Sequence, residues 1–139
     1  MQDTLPEILR PLMAAPSITL SHCAICGRRE PIEKHHFVRR GAGKLFVHGH
    51  EMKKPTITLC GFGNNLRDAN GRYLCHGLAH ANMLHFRWVP EVKKIGDNGG
   101  DIFLPTGHLE YLICSVPTKY EAALKMEGWK PLPHWRDAA

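Results

Sequence analysis

The chain has 139 residues, of which 43% are hydrophobic and 22% charged. This is enough for one domain with a modest core, whose stability a bound metal would increase. The sequence has neither an N-terminal signal segment nor an apolar run of about 18 residues, which argues against a membrane span and favours a cytoplasmic protein. In that reducing compartment, the five cysteines indicate metal binding more than disulfides, and four ligands would leave Cys114 spare.

The positive charge is concentrated in one part of the chain. Eighteen Lys and Arg residues against thirteen Asp and Glu residues give a formal charge of +5. The segment from Arg28 to Arg72 has ten basic and four acidic residues, so it carries +6 and the remainder carries −1. Basic residues interspersed with histidines are what a protein needs to bind a polyanionic substrate beside a reactive centre. The alternative interpretation of this segment is ordinary solvated surface charge.

The N-terminal third is predicted to contain a short helix, a short strand and a cysteine knuckle. The helix covers Asp3–Met13, with Thr4-x-x-Glu7 as a capping box. Ser17–Leu20 is strand-like and leads into Cys23-Ala-Ile-Cys26-Gly27, where the glycine permits the tight turn that lets two thiolates face one ion.

The middle of the chain has an extended, extended, helical order. Pro31–Val38 is predicted to be extended, followed by a loop at Arg39–Lys44, and Ile57–Leu59 to form a second strand that ends at Cys60. After an irregular loop over Gly61–Arg72, the apolar spacing predicts a helix over Leu74–Arg87.

The C-terminal third is predicted to contain a hairpin, a further strand and a helix. Glu91–Ile95 and Asp101–Leu104 flank Asp97-Asn98-Gly99-Gly100, which predicts a hairpin. Glu110–Cys114 is predicted to be another strand, and Thr118-x-x-Glu121 to open a helix that Gly128 closes. We therefore expect a single α+β domain over residues 1–139, with a core at about 17–88 and an extension at about 89–139.

The cysteines suggest a structural zinc site. Cys23 and Cys26 need two more ligands for a tetrahedral site, and Cys60 at a strand end and Cys75 at a helix start can supply them. Free buried thiols are one alternative. A zinc-finger-like site on Cys23, Cys26, His76 and His80 is another, but such fingers place only about 12 residues between the two pairs.

The histidines suggest a second metal site. His76 and His80 lie four residues apart on the predicted helix, so they share a face and can chelate one ion. Either His35 or His36 could add a third ligand, and adjacent strand residues point to opposite faces. The other histidine is then a candidate general base, because neutral imidazole accepts a proton from water near neutral pH.

Four segments carry a family resemblance: Cys23-x-x-Cys26, Glu33-x-His35-His36, Thr58-Leu59-Cys60 and Cys75-His76-Gly77-Leu78-Ala79-His80. Together they resemble the HNH (His-Asn-His, ββα-metal) nucleases, in the zinc-knuckle branch found in many phage proteins, over about Ser21–Trp88. The resemblance implies a small zinc-stabilised ββα-metal, treble-clef-like core. It also implies hydrolysis of DNA phosphodiester bonds with a divalent cation (Mg²⁺, Mn²⁺, Ni²⁺ or Zn²⁺) in a bacterium or a phage-infected host.

The same resemblance assigns roles to the four histidines. His35 matches the first metal ligand, His36 the general base and His76 the closing histidine of the motif, while His80 resembles the additional ligand of the nuclease colicins. The chain departs from the family at the central Asn, where it has Lys54-Pro55-Thr56. Thr56, Asn64 or Asn65 are the candidate replacements. The insert between Cys60 and Cys75 is also longer than in the family.

The expected partner is DNA, in double-stranded form, with a phage or host protein as a further possible partner. Arg39 and Arg40 are candidates for gripping phosphates beside the base. The other candidate DNA contacts are Lys44, Arg67, Arg72 and Arg87. For His85 the sequence leaves two alternatives, a structural hydrogen bond or a contact with the substrate. Two other functions stay open: a zinc-stabilised nucleic-acid-binding module without catalysis, and a zinc-stapled protein-interaction domain.

Overall fold

The protein combines short helices with three small β-sheets, in a computed structural model that describes residues 4–95 and 102–134. No helix within these ranges is long and apolar enough to cross a membrane. The elements in chain order are a 3-10 helix (Glu7–Ala14), β1 (Ile32–His36), a 3-10 helix (Arg40–Ala42), β2 (Phe46–Val47), β3 (His50–Glu51), β4 (Thr56–Cys60), α1 (Cys75–His80), β5 (Leu84–Ile95), β6 (Ile102–Ile113), α2 (Tyr120–Leu124) and β7 (Lys130–Pro131).

Strand β4 is the centre of the first layer. It pairs antiparallel with β1, from Ile32 opposite Cys60 to His36 opposite Thr56. On its other edge, the amide of Thr58 donates to the carbonyl of Ile18 at 2.9 Å. Because β4 has neighbours on both edges, its last four residues are buried. The two strands predicted on either side of the basic loop are therefore confirmed.

The N-terminal helix begins later than predicted and is a 3-10 helix. Its N-cap is Pro6, no side chain caps it, and the capping box predicted at Thr4 and Glu7 is wrong. The reason is tertiary, because Thr4 forms a parallel bridge with Lys44 and the amide of Leu5 donates to the Lys44 carbonyl at 2.9 Å. This pairing holds residue 4 in extended backbone, away from the first turn. Leu5 and Leu12 are buried in the core.

The helix predicted over Leu74–Arg87 is wrong in its second half. Helix α1 stops at His80, Asn82 takes a left-handed φ of 59°, and the Met83 amide donates to the Leu78 carbonyl at 2.8 Å. An αL residue with this hydrogen bond is a common helix stop. The following residues form β5, because Leu84 and Phe86 alternate on one face and are buried in the core.

Strands β5 and β6 form one long antiparallel hairpin, from Leu84 opposite Ile113 to Ile95 opposite Ile102. The predicted hairpin strands are confirmed, whereas its turn at residues 97–100 lies outside the described residues. The strand predicted at Glu110–Cys114 is wrong as a separate element because it is the end of β6, which also pairs with β7. Since β5 begins at Leu84, the expected boundary between core and extension falls inside this strand.

The predicted C-terminal helix is shorter than expected. It covers only Tyr120–Leu124, and no side chain caps it. The capping box predicted at Thr118 and Glu121 is wrong, since the Thr118 hydroxyl instead donates to the Val116 carbonyl at 2.9 Å. Gly128 lies beyond the helix with a φ of 99°.

One hydrophobic core joins the hairpin to the β1–β4 layer. Ile57 and Leu59 of β4 are fully buried and belong to the same cluster as Leu84 and Phe86 of β5 and Leu109 of β6. Helix α1 lies between the two sheets and contacts both β4 and β5. This arrangement brings the start of α1 beside β1 and the knuckle, which positions the two ligand clusters described next.

Candidate metal centres

Four thiols converge from the knuckle, the end of β4 and the start of α1. The Sγ atoms of Cys23, Cys26, Cys60 and Cys75 all lie within 4.8 Å of one another. Cys26 Sγ and Cys60 Sγ are 3.6 Å apart. Zinc–sulfur bonds of about 2.3 Å in a tetrahedral site imply sulfurs about 3.8 Å apart, so the four thiols fit a structural zinc ion. Cys114 is buried elsewhere, outside this group.

Backbone geometry explains the convergence. Gly27 adopts a φ of 80°, and its amide donates to the Cys23 carbonyl at 3.0 Å, which closes the knuckle turn. The Ile25 amide points at Cys23 Sγ at 3.4 Å, and the Cys75 amide at Cys60 Sγ at 3.2 Å. Backbone amides that donate to sulfur favour thiolates, the form that binds metal.

The charges in the cluster also favour a cation. The pKa of Cys23 is lowered, chiefly because the thiols of Cys60 and Cys75 donate hydrogen bonds to it. The pKa of Cys60 is raised to about 12, first because its proton is held in the hydrogen bond to Cys23. The pKa of Cys75 is raised for the same reason and by burial. The cluster accommodates one negative charge easily and further ones only with a compensating positive ion.

Three imidazoles form a second cluster on β1 and α1. The ligand nitrogens of His35, His76 and His80 all lie within 4.8 Å of one another. The Nε2 atoms of His76 and His80 are 3.0 Å apart, and the ring centroids of His35 and His76 are 5.1 Å apart. Metal–nitrogen bonds of about 2.0–2.1 Å imply nitrogens about 3.3 Å apart in a tetrahedral set, so the cluster can hold a divalent cation.

Burial keeps two of these imidazoles neutral. The pKa of His35 is lowered to about 3, first by burial and then by the neighbouring His76 and His80. The pKa of His76 is lowered by burial and by His80, against the opposing effect of Glu33. Neutral imidazole is the form that binds metals. His80 is exposed, so the cluster is open to solvent on that side.

Glu33 is the site residue to which the sequence analysis assigned no role. Its Oε1 lies 3.6 Å from Nδ1 of His76, a buried atom without a hydrogen-bond partner in the part of the chain that the structure describes. The same oxygen accepts the Gly63 amide at 3.5 Å. Glu33 precedes His35 by two strand positions, and this period-two spacing on one face is the signal that could have predicted the contact.

Although it helps to lower the pKa of His35, His36 is not one of the three clustered imidazoles. Its pKa is lowered by burial and by the positive charges of Arg40 and Lys54. Thr56, one of the candidate replacements for the family's central Asn, lies directly opposite His36 in the β1–β4 pairing. Asn64 and Asn65 lie past the other end of β4, in a tight turn where the Asn65 amide and carbonyl pair with Phe62. The structure therefore does not bring these asparagines to His36.

Three of the predicted DNA-contacting residues surround the loop after β1. Arg39 and Arg40 are exposed, and their carbonyls accept hydrogen bonds from Lys54 Nζ at 2.7 and 3.0 Å. Lys44 is exposed and lies 3.8 Å from Glu51. Of these positive charges, Arg40 and Lys54 lie close enough to His36 to lower its pKa.

The remaining predicted DNA contacts are further along the chain. Arg67 stacks 4.0 Å from the Tyr73 ring centre and donates to the Gly71 carbonyl at 2.8 Å, and Arg72 is exposed. Arg87 is engaged within the protein, since its Nε donates to Glu110 Oε1 at 2.8 Å and its guanidinium stacks on Trp129 at 4.6 Å.

The surroundings of His85 indicate a structural role. It is only 7% exposed, and its Nε2 donates to the Asn82 carbonyl at 2.9 Å. Of the two alternatives left open by the sequence, this geometry favours the structural hydrogen bond, which ties β5 to the left-handed residue that ends α1.

The two clusters share one short helix but have different ligand chemistry. Cys75 belongs to an all-sulfur set that ties three backbone segments together, as structural zinc sites do. His76 belongs to a set of three imidazole nitrogens that can hold a metal ion. No protein-family model, no curated protein and no solved structure matches this chain.

Proposed function

We propose that the protein is a metal-dependent endonuclease of the HNH type that hydrolyses DNA phosphodiester bonds, with a ββα-metal core formed by β1, β4 and α1. One observation carries the proposal: His35, His76 and His80 gather their ligand nitrogens within 4.8 Å of one another, apart from the four thiols. A domain that uses metal only for a structural zinc site would not require this second cluster.

The residues around the cluster suit phosphodiester hydrolysis. A divalent cation on His35, His76 and His80 would withdraw charge from a nonbridging phosphate oxygen and stabilise the leaving 3′ oxygen. His36 is the general base in this proposal: it accepts the proton of the water whose oxygen attacks phosphorus as the bond to the 3′ oxygen breaks. The products would end in 5′-phosphate and 3′-hydroxyl.

The environment of His36 supports that role. Burial, Arg40 and Lys54 lower its pKa, so the ring is neutral and able to accept a proton at pH 7. Arg39 and Arg40 follow it after Phe37 and Val38, and their exposed guanidinium groups can hold phosphates next to the cleaved bond. Thr56, opposite His36 on β4, is the residue best placed to help orient it.

The test is nicking of supercoiled plasmid with Mg²⁺, Mn²⁺ or Ni²⁺. Wild type should nick with at least one metal, and His36→Ala should lower the rate at least 100-fold, the lower end of a general base's contribution. His108→Ala, on the β5–β6 hairpin away from both clusters, is the matched control and should nick normally.

A binding module without catalysis is the second candidate, favoured by the distance of Asn64 and Asn65 from His36. Wild-type protein that shifts DNA in a gel but stays inert with every metal would establish that alternative and refute the nuclease.

A further inference from the structure

The β2–β3 hairpin is a two-stranded ribbon at the surface of the molecule. Phe46 pairs with Glu51 and Val47 with His50, and the turn between them uses left-handed backbone at His48 and Gly49. Residues 46–53 are all exposed. A two-stranded hairpin with neither face packed is only marginally stable in water, which favours a partner that covers it.

The ribbon presents apolar side chains in spite of this exposure. Phe46 is 58% exposed, Val47 42% and Met52 39%. Phe46 and Val47 are consecutive on a strand, so they point to opposite faces, and both faces of the ribbon offer an apolar contact. Each face of the ribbon therefore exposes an apolar side chain that a partner can cover.

The base of the ribbon is strongly basic. Residues 39–54 include five cationic residues (Arg39, Arg40, Lys44, Lys53 and Lys54) against the single acidic Glu51, a formal charge of +4. Lys54 joins the two ends of the segment through the carbonyls of Arg39 and Arg40. Apolar side chains on the strands and cationic side chains at the base complement a polyanion that also presents some apolar groups.

We infer that the β2–β3 ribbon enters the major groove of double-stranded DNA, where the apolar side chain on the face that meets the bases, Phe46 or Val47, contacts base edges and the basic residues at the base of the ribbon hold the flanking phosphates. The major groove is about 12 Å wide and admits a two-stranded β-ribbon, whereas the minor groove is about 6 Å wide. Thymine methyl groups in the major groove are natural apolar contacts for such side chains. The inference rests on the proposed function and names duplex DNA as the substrate that the ribbon positions near His36.

The first test measures binding without catalysis. A labelled 20-base-pair duplex is titrated by fluorescence anisotropy with the zinc-loaded protein, without added divalent ions. Phe46→Ser with Val47→Ser should weaken binding at least tenfold and leave the salt dependence unchanged, because the phosphate contacts remain. Val116→Ser with Met126→Ser replaces two apolar residues that are 61% and 43% exposed outside the ribbon, and should bind as wild type does.

Charge variants separate the two parts of the ribbon. Arg39→Gln with Lys53→Gln should reduce the slope of log affinity against log salt by about 0.9 for each phosphate that the variant no longer neutralises. Thermal unfolding and zinc content, measured for every variant, establish that each one is folded. A folded serine variant with wild-type affinity for the duplex would overturn the inference and leave a protein as the ribbon's partner.

Groove-specific competitors supply the sharper test. Methyl green, which occupies the major groove, and replacement of thymine by uracil, which removes the methyl group, should both weaken binding of wild type but not of the serine variant. Netropsin, which occupies the minor groove, should have little effect. Competition by netropsin but not by methyl green would refute major-groove entry. Ribbon-dependent binding without nicking would refute only the nuclease, and nicking with a ribbon-independent affinity would refute only this inference.

Discussion

Glu33 Oε1 lies 3.6 Å from Nδ1 of His76, on the opposite side of the imidazole ring from the Nε2 atom that meets His80. A carboxylate at Nδ1 favours the tautomer with its proton there, which leaves Nε2 free to bind an ion. The contact thus couples a residue of β1 to the metal-binding ability of α1, and it makes Glu33 a positioning residue in the proposed site.

Glu33→Gln should weaken binding of a divalent cation at the histidine cluster by about 10-fold, the lower end of the effect of removing a hydrogen-bonded partner, because the 3.6 Å contact is longer than a hydrogen bond. Glutamine keeps an oxygen for the Gly63 amide but removes the charge. Calorimetric titration of the zinc-loaded protein with Ni²⁺ measures the affinity, with Glu121→Gln at an exposed position of α2 as the control. Glu33→Asp should recover part of the affinity. Equal affinities for wild type and Glu33→Gln would rule out the positioning role.

The thiol cluster leads to a prediction about stoichiometry. Mass spectrometric metal analysis should find one tightly held zinc ion per chain, because four sulfurs lie within 4.8 Å of one another. Cys23→Ala should misfold, since three backbone segments would no longer share a complete ligand set. Cys114→Ala, which also removes a buried thiol but lies outside the cluster, should keep the zinc ion. A folded, soluble and zinc-free Cys23→Ala protein would contradict the structural zinc site.

At Gly77 we expect the usual stabilising effect of a Gly→Ala substitution in a helix to be reversed. In an ordinary exposed helix, Gly→Ala is stabilising by about 1 kcal/mol. Here a Cβ on Gly77 would clash with the Leu66 carbonyl oxygen and lie 2.9 Å from the Tyr73 ring. Gly77→Ala should therefore destabilise the fold by about 1–3 kcal/mol through overpacking. Urea unfolding measures the change.

Gly41→Ala is the matched control for this substitution, because nothing lies within 4 Å of a Cβ there. It should leave the free energy of unfolding nearly unchanged. A stabilising Gly77→Ala would show that the insert after Cys60 does not pack closely on α1.

The His108 network predicts a pH dependence of stability. The pKa of His108 is raised by the hydrogen bond to Glu110 and by Glu91. The pKa of Glu110 is lowered because hydrogen bonds from His108 and Arg87 outweigh the opposing effect of burial. A raised histidine pKa stabilises the fold below its unfolded value of about 6.5, and this is lost as pH rises through the raised value. A lowered carboxyl pKa stabilises above about 4.3, and this is lost on acidification.

The network should therefore contribute most between about pH 5 and 6, by less than about 1 kcal/mol because these side chains are partly exposed. Urea unfolding of wild type and His108→Gln across pH 5–9 should show a difference that shrinks above neutral pH. His50→Gln, an exposed residue on the ribbon, should show no such trend. A difference that grows with pH would contradict the network.

Local sequence patterns predicted the close pairs within each ligand cluster, Cys23 with Cys26 and His76 with His80, whereas the choice of His35 over His36 rested on the family resemblance. Cys23-x-x-Cys26 folds into a knuckle through the turn at Gly27, and His76 and His80 share one face of a single helical turn. Strand periodicity also predicted that His35 and His36 would face different surroundings. These features depend on the geometry of neighbouring residues, which the sequence determines by itself.

The tertiary structure decided what depends on residues far apart in the chain. Leu84 and Phe86 fit a helix by spacing, but pairing with β6 and burial against the core make them a strand. Thr4 and Glu7 have the spacing of a capping box, but the pairing of Thr4 with Lys44 prevents Thr4 from capping the helix. Glu33 meets His76, and Thr56 instead of Asn64 or Asn65 lies opposite His36, because the β1–β4 register sets these neighbours. Local patterns specify which residues can bind a metal, whereas long-range packing and strand register select which residues support them.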